Sequence, residues 1–262
     1  MKRASVGQTN CYDYPQYWDL AFRDETRLEA DFFEAVARKY CEFPAERFLE
    51  PACGGGRLVV EMAARGHQLV GFDINAASIT YLQRRLRRRG LQAEVYQADM
   101  TDFHIAAPVD IAFNTFNTFR HLTSETAARR HLESVAESLR PGGIYVLGFH
   151  LLPPDADESC TERWTARHGK TGVTMTLRVL NCDRRRRIEV IRFSMRVRSG
   201  SRDLRLRSDY EYRIYTADQI RRLLASVPEF ELLDVFDFWY EIDKPLELSD
   251  ELGDAVFVLR KR

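Results

Sequence analysis

The sequence lacks the features of disulfide-rich, membrane-spanning and nucleic-acid-binding chains. Its five cysteines are odd in number and scattered without C-x-x-C spacing, so we expect neither a disulfide framework nor a metal site. No apolar run approaches the roughly 18 residues of a membrane span, and no signal-like segment opens the chain, so we expect a soluble, cytoplasmic protein without a membrane partner. Basic and acidic residues balance at 39 each, which makes nucleic acid an unlikely partner.

The most informative stretch runs from Phe48 to Asp73 and reads FLEPACGGGRLVVEMAARGHQLVGFD. The pattern predicts a strand, a glycine turn, a helix and a second strand that ends at an acid. Three consecutive glycines let the backbone bend sharply and approach a ligand closely. The helix that follows directs its unpaired N–H groups toward that ligand. A dinucleotide site needs a third glycine in the spacing G-x-G-x-x-G, but Val59 stands at that place.

This stretch resembles the class I S-adenosylmethionine-dependent methyltransferases, in particular the branch whose first motif reads E-P-A-C-G-x-G-R. The resemblance implies an α/β fold: a Rossmann-like seven-stranded sheet. It also implies S-adenosylmethionine as the cofactor. Ala52 stands where the commonest form of the motif has its first glycine, and we expect a slightly different turn there rather than lost binding.

The resemblance also assigns the cofactor-binding residues. Glu50 orders the glycine loop or faces the methionine end, Asp73 binds the ribose hydroxyls, and Asp99 accepts from the adenine amino group. Two further positions come from the aromatic N-terminal segment. The complete set is Glu50, Ala52, Gly54, Gly56, Asp73, Ile74, Asp99, Met100, Asn114, Tyr17 and Trp18.

The remaining chain predicts four regions. Residues 1–40 form an N-terminal helical lid, residues 41–150 the S-adenosylmethionine-binding core, and residues 215–262 the last helix and final two strands. Between them, period-2 alternation over residues 164–214 predicts an antiparallel insertion of three strands, possibly four, within residues 151–214. Five arginines crowd the end of the helix at residues 76–89, where they suit the helix dipole and solvent.

The acceptor side is less determined by the sequence. His121 and His150 follow the fourth and fifth strands and are candidate general bases, and Tyr17 is a third candidate catalytic residue; structural roles remain open for each. Arg192, Arg196 and Tyr212 contact an anionic acceptor only if their face of the insertion points inward. The insertion either caps the acceptor pocket or pairs two subunits in a homodimer.

The favoured function is methyl transfer to a small-molecule acceptor. The arginine clusters suggest an alternative, a nucleic-acid or protein methyltransferase. Zero net charge and the tetrapeptide N-T-F-N after the fourth strand, in place of an N-P-P-Y type, weaken it. A non-catalytic S-adenosylmethionine-binding protein is the third hypothesis, because donor binding and methyl transfer are separable.

Overall fold

A computed structural model describes residues 10–262. Its main sheet has seven strands in the order β10-β11-β5-β4-β1-β2-β3. Strands β1 to β5 are parallel, whereas β11 is antiparallel to both β5 and β10. The strands are β1 (Arg47–Pro51), β2 (Gln68–Asp73), β3 (Glu94–Gln97), β4 (Val109–Asn114), β5 (Leu139–His150), β10 (Phe230–Phe236) and β11 (Asp254–Lys261).

Six α-helices are present among the described residues, and local signals fix several of their ends. The Asn75 side chain accepts from Ser78 N at the start of α4, and Gly90 ends α4 in the left-handed conformation. Thr216 and Gln219 form the capping box of α6. The helices are α1 (Pro15–Ala21), α2 (Thr26–Tyr40), α3 (Arg57–Ala64), α4 (Ala76–Arg89), α5 (Glu125–Ser138) and α6 (Ala217–Ala225).

The main sheet is buried on both faces. Helices α2, α3 and α4 cover one face, where Ile111 and Phe113 of β4 point. Helices α5 and α6 cover the other face, which receives Val109 and Ala112 of the same strand. Such two-sided burial accounts for the continuous apolar runs of the central strands.

A second sheet lies between β5 and α6 along the chain. It is antiparallel, with the order β6-β7-β8-β9, and one of its faces is apolar. That face packs against Cys11 and Ala21 of the N-terminal segment, which we call the strap (residues 10–22). The strands are β6 (Thr161–His168), β7 (Thr171–Asp183), β8 (Ile188–Ser199) and β9 (Arg202–Arg213).

The predicted fold class is confirmed, and the second sheet is the predicted antiparallel insertion. Residues Leu139–His150 form one strand that includes Pro141-Gly142-Gly143; a register shift against β4 and a left-handed Gly142 (φ 76°) accommodate these residues. The insertion has four strands, and the sequence gives little signal for β6 because Trp164 and Ala166 are its only apolar residues. No helix among residues 10–262 is long and apolar enough to cross a membrane.

Candidate active site

The carboxyl ends of the five parallel strands meet at one edge of the main sheet, which is where ligands bind in open α/β sheets. Pro51, Asp73 and Asn114 end β1, β2 and β4 at this edge, and His150 ends β5. The strap and the apolar face of the second sheet lie over the same region. All the site residues predicted from the sequence fall within the described chain, although the first nine residues of the predicted lid do not.

The turn after β1 is held in an unusual backbone conformation. Ala52, Gly54 and Gly56 all have positive φ, at 52°, 53° and 69°. Gly56 also has a packing role, because a Cβ there would overlap the Leu82 side chain of α4. Of the two glycines predicted to contact the cofactor, only Gly54 has open space on its Cβ side.

Asp73 ties the two ends of the strand–turn–helix–strand unit together. Its Oδ2 accepts from Gly54 N at 2.8 Å, and its Oδ1 accepts from Asn75 N at 2.7 Å. Burial raises the pKa of Asp73, while these two N–H donors lower it. A carboxylate accepts about four hydrogen bonds, so Asp73 retains acceptor capacity for a pair of hydroxyl groups. Ile74 beside it is 66% exposed and offers an apolar surface.

Two polar atoms at the ends of β1 and β4 are buried without a hydrogen-bond partner in the described structure: Glu50 Oε2 and Asn114 Oδ1. The Asn114 Nδ2 donates to Pro51 O at 2.8 Å, which fixes the amide orientation. Burial raises the pKa of Glu50 to about 8, against the opposing charge of Arg57. Unpartnered buried acceptors are costly, so both atoms suit a ligand that donates hydrogen bonds and carries positive charge.

Asp99 and Met100 lie beyond β3 on the adenine side of the predicted site. Asp99 is exposed, and its Oδ1 accepts from both the backbone and the hydroxyl of Thr101, at 2.8 and 2.9 Å. Its Oδ2 has no such bond within residues 10–262. The Met100 carbonyl accepts from His131 Nδ1 at 2.8 Å, which fixes the backbone of this turn.

A tyrosine–histidine pair joins the strap to the short helix Thr118–His121 that follows β4. The Tyr12 hydroxyl and His121 Nε2 lie 2.9 Å apart. The His121 ring is surrounded by the rings of Tyr12, Tyr210 and Tyr212, at centroid distances of 5.6, 5.7 and 4.7 Å. Burial, reinforced by the Arg120 charge, lowers the pKa of His121 to about 4. The imidazole is therefore neutral at physiological pH.

Tyr12 connects the donor and acceptor sides. Burial raises the pKa of its hydroxyl, and the charges of Tyr212, Tyr210 and Asp73 add to that effect. The Tyr12 carbonyl accepts from Ser78 Oγ at 3.4 Å, at the start of the helix that follows Asp73. The sequence places Tyr12 only in a general aromatic cluster, because its partner His121 is 109 residues away along the chain.

The other predicted catalytic candidates have different surroundings. Tyr17 stacks on Tyr14 at 6.2 Å, in the apolar cluster between the strap and the second sheet. Trp18 stacks on Tyr12 at 4.9 Å and donates from Nε1 to Cys11 O, so it supports the pair. His150 pairs with Asp254 through Nδ1 at 2.6 Å, and its side chain is 41% exposed.

A buried ion pair lies beside the tyrosine–histidine pair. Arg120 Nη2 and Glu189 Oε1 lie 2.5 Å apart, and the Arg120 guanidinium stands 5.2 Å from the Tyr212 ring centroid. Tyr212 thus faces inward, whereas Arg192 and Arg196 face outward and pair with Asp209 and Asp203. The described residues contain no cluster of three or more potential metal ligands.

The family comparison agrees with this geometry. Residues 48–143 match the model of the methyltransferase domain family, described as "Methyltransferase domain". This stretch is similar to a methyltransferase domain. It contains the glycine loop, Asp73, Asn114 and His121. The sequence resemblance to methyltransferases is thus confirmed over these residues.

Individual relatives are distant in sequence but close in fold. The chain is 24% identical over 139 residues to dTDP-3-amino-3,4,6-trideoxy-alpha-D-glucopyranose N,N-dimethyltransferase of Streptomyces venezuelae, covering 52% of this chain and 56% of the relative. It spans little more than half the length of the curated relatives it matches. A solved S-adenosylmethionine-dependent methyltransferase from Clostridium acetobutylicum superposes with a TM-score of 0.77 at 15% identity, covering 96% of this chain and 99% of the other. DesVI of Streptomyces venezuelae superposes with a TM-score of 0.76 at 17% identity, covering 98% and 100%.

Proposed function

We propose that the protein transfers a methyl group from S-adenosylmethionine to an amine nitrogen of a small molecule. The observation that carries the proposal is the Tyr12–His121 pair, which lies among aromatic rings just beyond the carboxyl end of β4. The Clostridium acetobutylicum structure supports the donor, and the Streptomyces venezuelae relative, by its name an N,N-dimethyltransferase, supports the acceptor atom.

The residues at the edge fit this donor. The unpartnered Glu50 Oε2 and Asn114 Oδ1 suit the ammonium group of the methionine end. Asp73 can accept hydrogen bonds from the ribose hydroxyls. The exposed Ile74 packs against adenine, and Asp99 accepts a hydrogen bond from the adenine amino group. When bound, the donor supplies a methyl group already activated by its sulfonium, so the protein has mainly to hold the acceptor in line.

The remaining predicted cofactor residues shape this pocket. Ala52, Gly54 and Gly56 bring the loop backbone beneath the donor, and Met100 provides an apolar wall beside the adenine. In the strap, Trp18 supports Tyr12 from behind. We assign Tyr17 to the packing between the strap and the second sheet rather than to donor contact.

An amine is favoured over a hydroxyl by the state of His121. A hydroxyl group needs a base to remove its proton, and a histidine with a pKa of about 4 is a weak base. A neutral amine needs no base, because it already has a free lone pair. In the tautomer whose Nε2 is unprotonated, His121 accepts from the Tyr12 hydroxyl, and that hydroxyl's lone pairs orient an amine N–H.

The aromatic surroundings also suit the product. Methyl transfer to the lone pair of a neutral amine forms an N-methylammonium cation directly and leaves the donor as a neutral thioether. A cation is attracted to the faces of aromatic rings, by ~0.5–1 kcal/mol at exposed sites. Tyr210 and Tyr212 provide such faces beside His121. Because His121 is uncharged, it does not repel a cationic group.

We also propose that the chain belongs to the methyltransferase branch whose first motif reads E-P-A-C-G-x-G-R. In this proposal the chain divides into four regions, with boundaries at residues 40, 150 and 214. Arg57, the last residue of that motif, opens α3 and pairs with the buried Glu29 at 2.5 Å. The pair links α2, within the proposed lid, to the glycine loop. The outward arginines of the second sheet lie on the face opposite Tyr212, so they do not lead a nucleic acid or protein acceptor to the site.

Donor binding and acceptor class are tested separately. Calorimetry should show binding of S-adenosylmethionine and its demethylated product, S-adenosylhomocysteine, without comparable binding of NAD. Matched pairs of small molecules that differ only in an amine or a hydroxyl should then yield methylated product, by mass spectrometry, from the amines. Binding of NAD alone rejects the donor, methylation of hydroxyls alone rejects the acceptor class, and donor binding with no transfer to any acceptor favours a non-catalytic binding protein.

A further inference from the structure

The strap lies directly against the glycine loop at Gly55. A Cβ built on Gly55 would stand 3.2 Å from Pro15 Cβ and 3.3 Å from the ring of Tyr81. Gly55 has no positive φ, so its backbone conformation does not require glycine. Its lack of a side chain is instead explained by the closeness of the strap on one side and α4 on the other.

One side chain holds the strap and the loop together. Arg85 of α4 donates from Nη1 to the Gly55 carbonyl at 2.8 Å, and the same Nη1 lies 2.8 Å from Asp19 Oδ1 in α1. Tyr81, one turn earlier, donates to Asp19 Oδ2 at 3.4 Å. The Arg85 and Asp19 side chains are only 19% and 18% exposed.

Arg85 differs in this from the other arginines of its run. Arg84, Arg87, Arg88 and Arg89 are exposed, as the sequence leads one to expect of basic residues near a helix end. Arg85 alone is turned toward the loop and the strap. The guanidinium suits this position because its donors are arranged in a rigid fork that can serve two acceptors at once.

We propose that Arg85 is a positioning residue that couples closure of the strap to the glycine-loop conformation that receives the donor. The proposal rests on the proposed function, since it takes S-adenosylmethionine to bind at that loop. In this proposal the strap opens when the donor enters or leaves, and its opening separates Asp19 from Arg85. Arg85 is then released from the Gly55 carbonyl, so loop and strap change together.

A second hydrogen bond holds the strap near Asp73, away from Gly55. Asn75 Nδ2 donates to Asp13 Oδ1 at 2.8 Å, and Asn75 N is one of the two donors to Asp73. The strap is therefore held at two points of α4, near Asp73 and near Gly55. Of these, only the Arg85 tie reaches the loop backbone itself.

The decisive variants are Arg85→Ala and Asp19→Asn, with Arg84→Ala as the matched exposed control. Hydrogen exchange without donor should show faster exchange in residues 10–22 for both variants. Dissociation of S-adenosylhomocysteine, followed by stopped flow, should be ~10-fold faster in Arg85→Ala, because the variant loses a hydrogen bond from a charged group to the loop; tenfold corresponds to about 1.4 kcal/mol. Asp19→Asn should also release it faster, although Asp19 makes no contact with the loop. Arg85→Lys should be intermediate, and Arg84→Ala should match the wild type.

The outcomes separate this proposal from the function on which it rests. Failure of the wild type to bind the donor defeats the proposed function, and exchange in the strap still reports on the Arg85 tie. Wild-type donor release in a folded Asp19→Asn variant whose strap exchanges faster overturns the coupling. Unchanged strap exchange in Arg85→Ala overturns it as well. Gly55→Ala gives an independent check, because its new methyl group should displace Pro15 and raise exchange in the same residues.

Discussion

The proposed donor half and the proposed acceptor half of the site are built from different kinds of contact. The donor half depends on backbone groups close in sequence: the Gly54 N–H reaches Asp73 across 19 residues. The acceptor half depends on side chains brought together from distant segments. Tyr12 and His121 are 109 residues apart, and Cys11 N donates to Ser208 Oγ across 197 residues.

This difference has a consequence for how each half responds to substitution. A loop held by its own backbone and one carboxylate needs that carboxylate but few other side chains. A pocket assembled from the strap, the turn after β4 and the second sheet needs each ring in place. Substitutions in the two halves should therefore separate donor affinity from turnover.

The largest effect is expected for Asp73→Ala. The variant removes the acceptor of the Gly54 and Asn75 N–H groups as well as the proposed partner of the ribose, and each hydrogen bond to a charged group is worth about 1.5–3 kcal/mol. Affinity for S-adenosylhomocysteine should fall at least ~10-fold, because 1.4 kcal/mol corresponds to tenfold. Calorimetry measures this, with Asp102→Ala as the control since that side chain is 80% exposed. Unchanged affinity in a folded variant would show that the ribose is held elsewhere.

A smaller effect, confined to the acceptor half, is expected for Tyr12→Phe. The change leaves the ring stack with Trp18 but removes the hydroxyl that bonds His121. We expect kcat to fall by roughly 10-fold, as losing a partner of a buried group costs about 1–3 kcal/mol, while donor affinity stays within about twofold. Tyr17→Phe should change neither, because its hydroxyl makes no hydrogen bond in the described structure. An equal loss of donor affinity in Tyr12→Phe would contradict the separation of the two halves.

The same difference determines what the sequence could predict. The strand ends, the glycine turn and Asp73 follow from local spacing, and residues 48–143 match the methyltransferase domain model. Period-2 alternation likewise located β7 to β9 of the insertion. Local signals of this kind depend on neighbours in the chain, so they are visible without the fold.

The acceptor half had no such signal. His121 was a candidate, but its neutral state depends on burial by rings from the strap and from β9. The inward orientation of Tyr212 and the outward orientation of Arg192 follow from the register of β8 and β9. Alternation in the sequence does not show which face of the second sheet points inward. Arg85 was grouped with its exposed neighbours, because only the folded chain brings Gly55 and Asp19 to it.

The pH dependence of stability tests the donor half without ligand. Burial raises the pKa of Glu50 to about 8, above the value of about 4.3 in an unfolded chain. Between these values the unfolded state loses its proton and the folded state keeps it, so this residue destabilises the empty protein progressively from pH 4.3 to pH 8. Glu50→Gln should therefore raise the free energy of unfolding relative to the wild type by on the order of 1 kcal/mol or more at pH 8, and less at pH 5. Urea titrations at the two pH values measure this; a difference that does not grow with pH would show that Glu50 is ionised in the empty site.

The smallest effect is expected at Ala52, where the donor loop departs from the commonest motif. Its φ of 52° lies in the left-handed region, which costs a residue with a Cβ about 1–2 kcal/mol, whereas glycine adopts it freely. Glycine also loses more freedom on folding, by ~0.5–1 kcal/mol, so Ala52→Gly should stabilise the protein by less than about 1 kcal/mol. Ala77→Gly, at an exposed position of α4, should destabilise it by ~0.5–1 kcal/mol, because that backbone is right-handed helix. If Ala52→Gly stabilises the protein while Ala77→Gly destabilises it, and donor affinity is unaltered, the left-handed backbone at residue 52 is a property of the folded donor loop. Destabilisation by Ala52→Gly would mean that the Ala52 methyl group makes a packing contribution that outweighs its backbone strain.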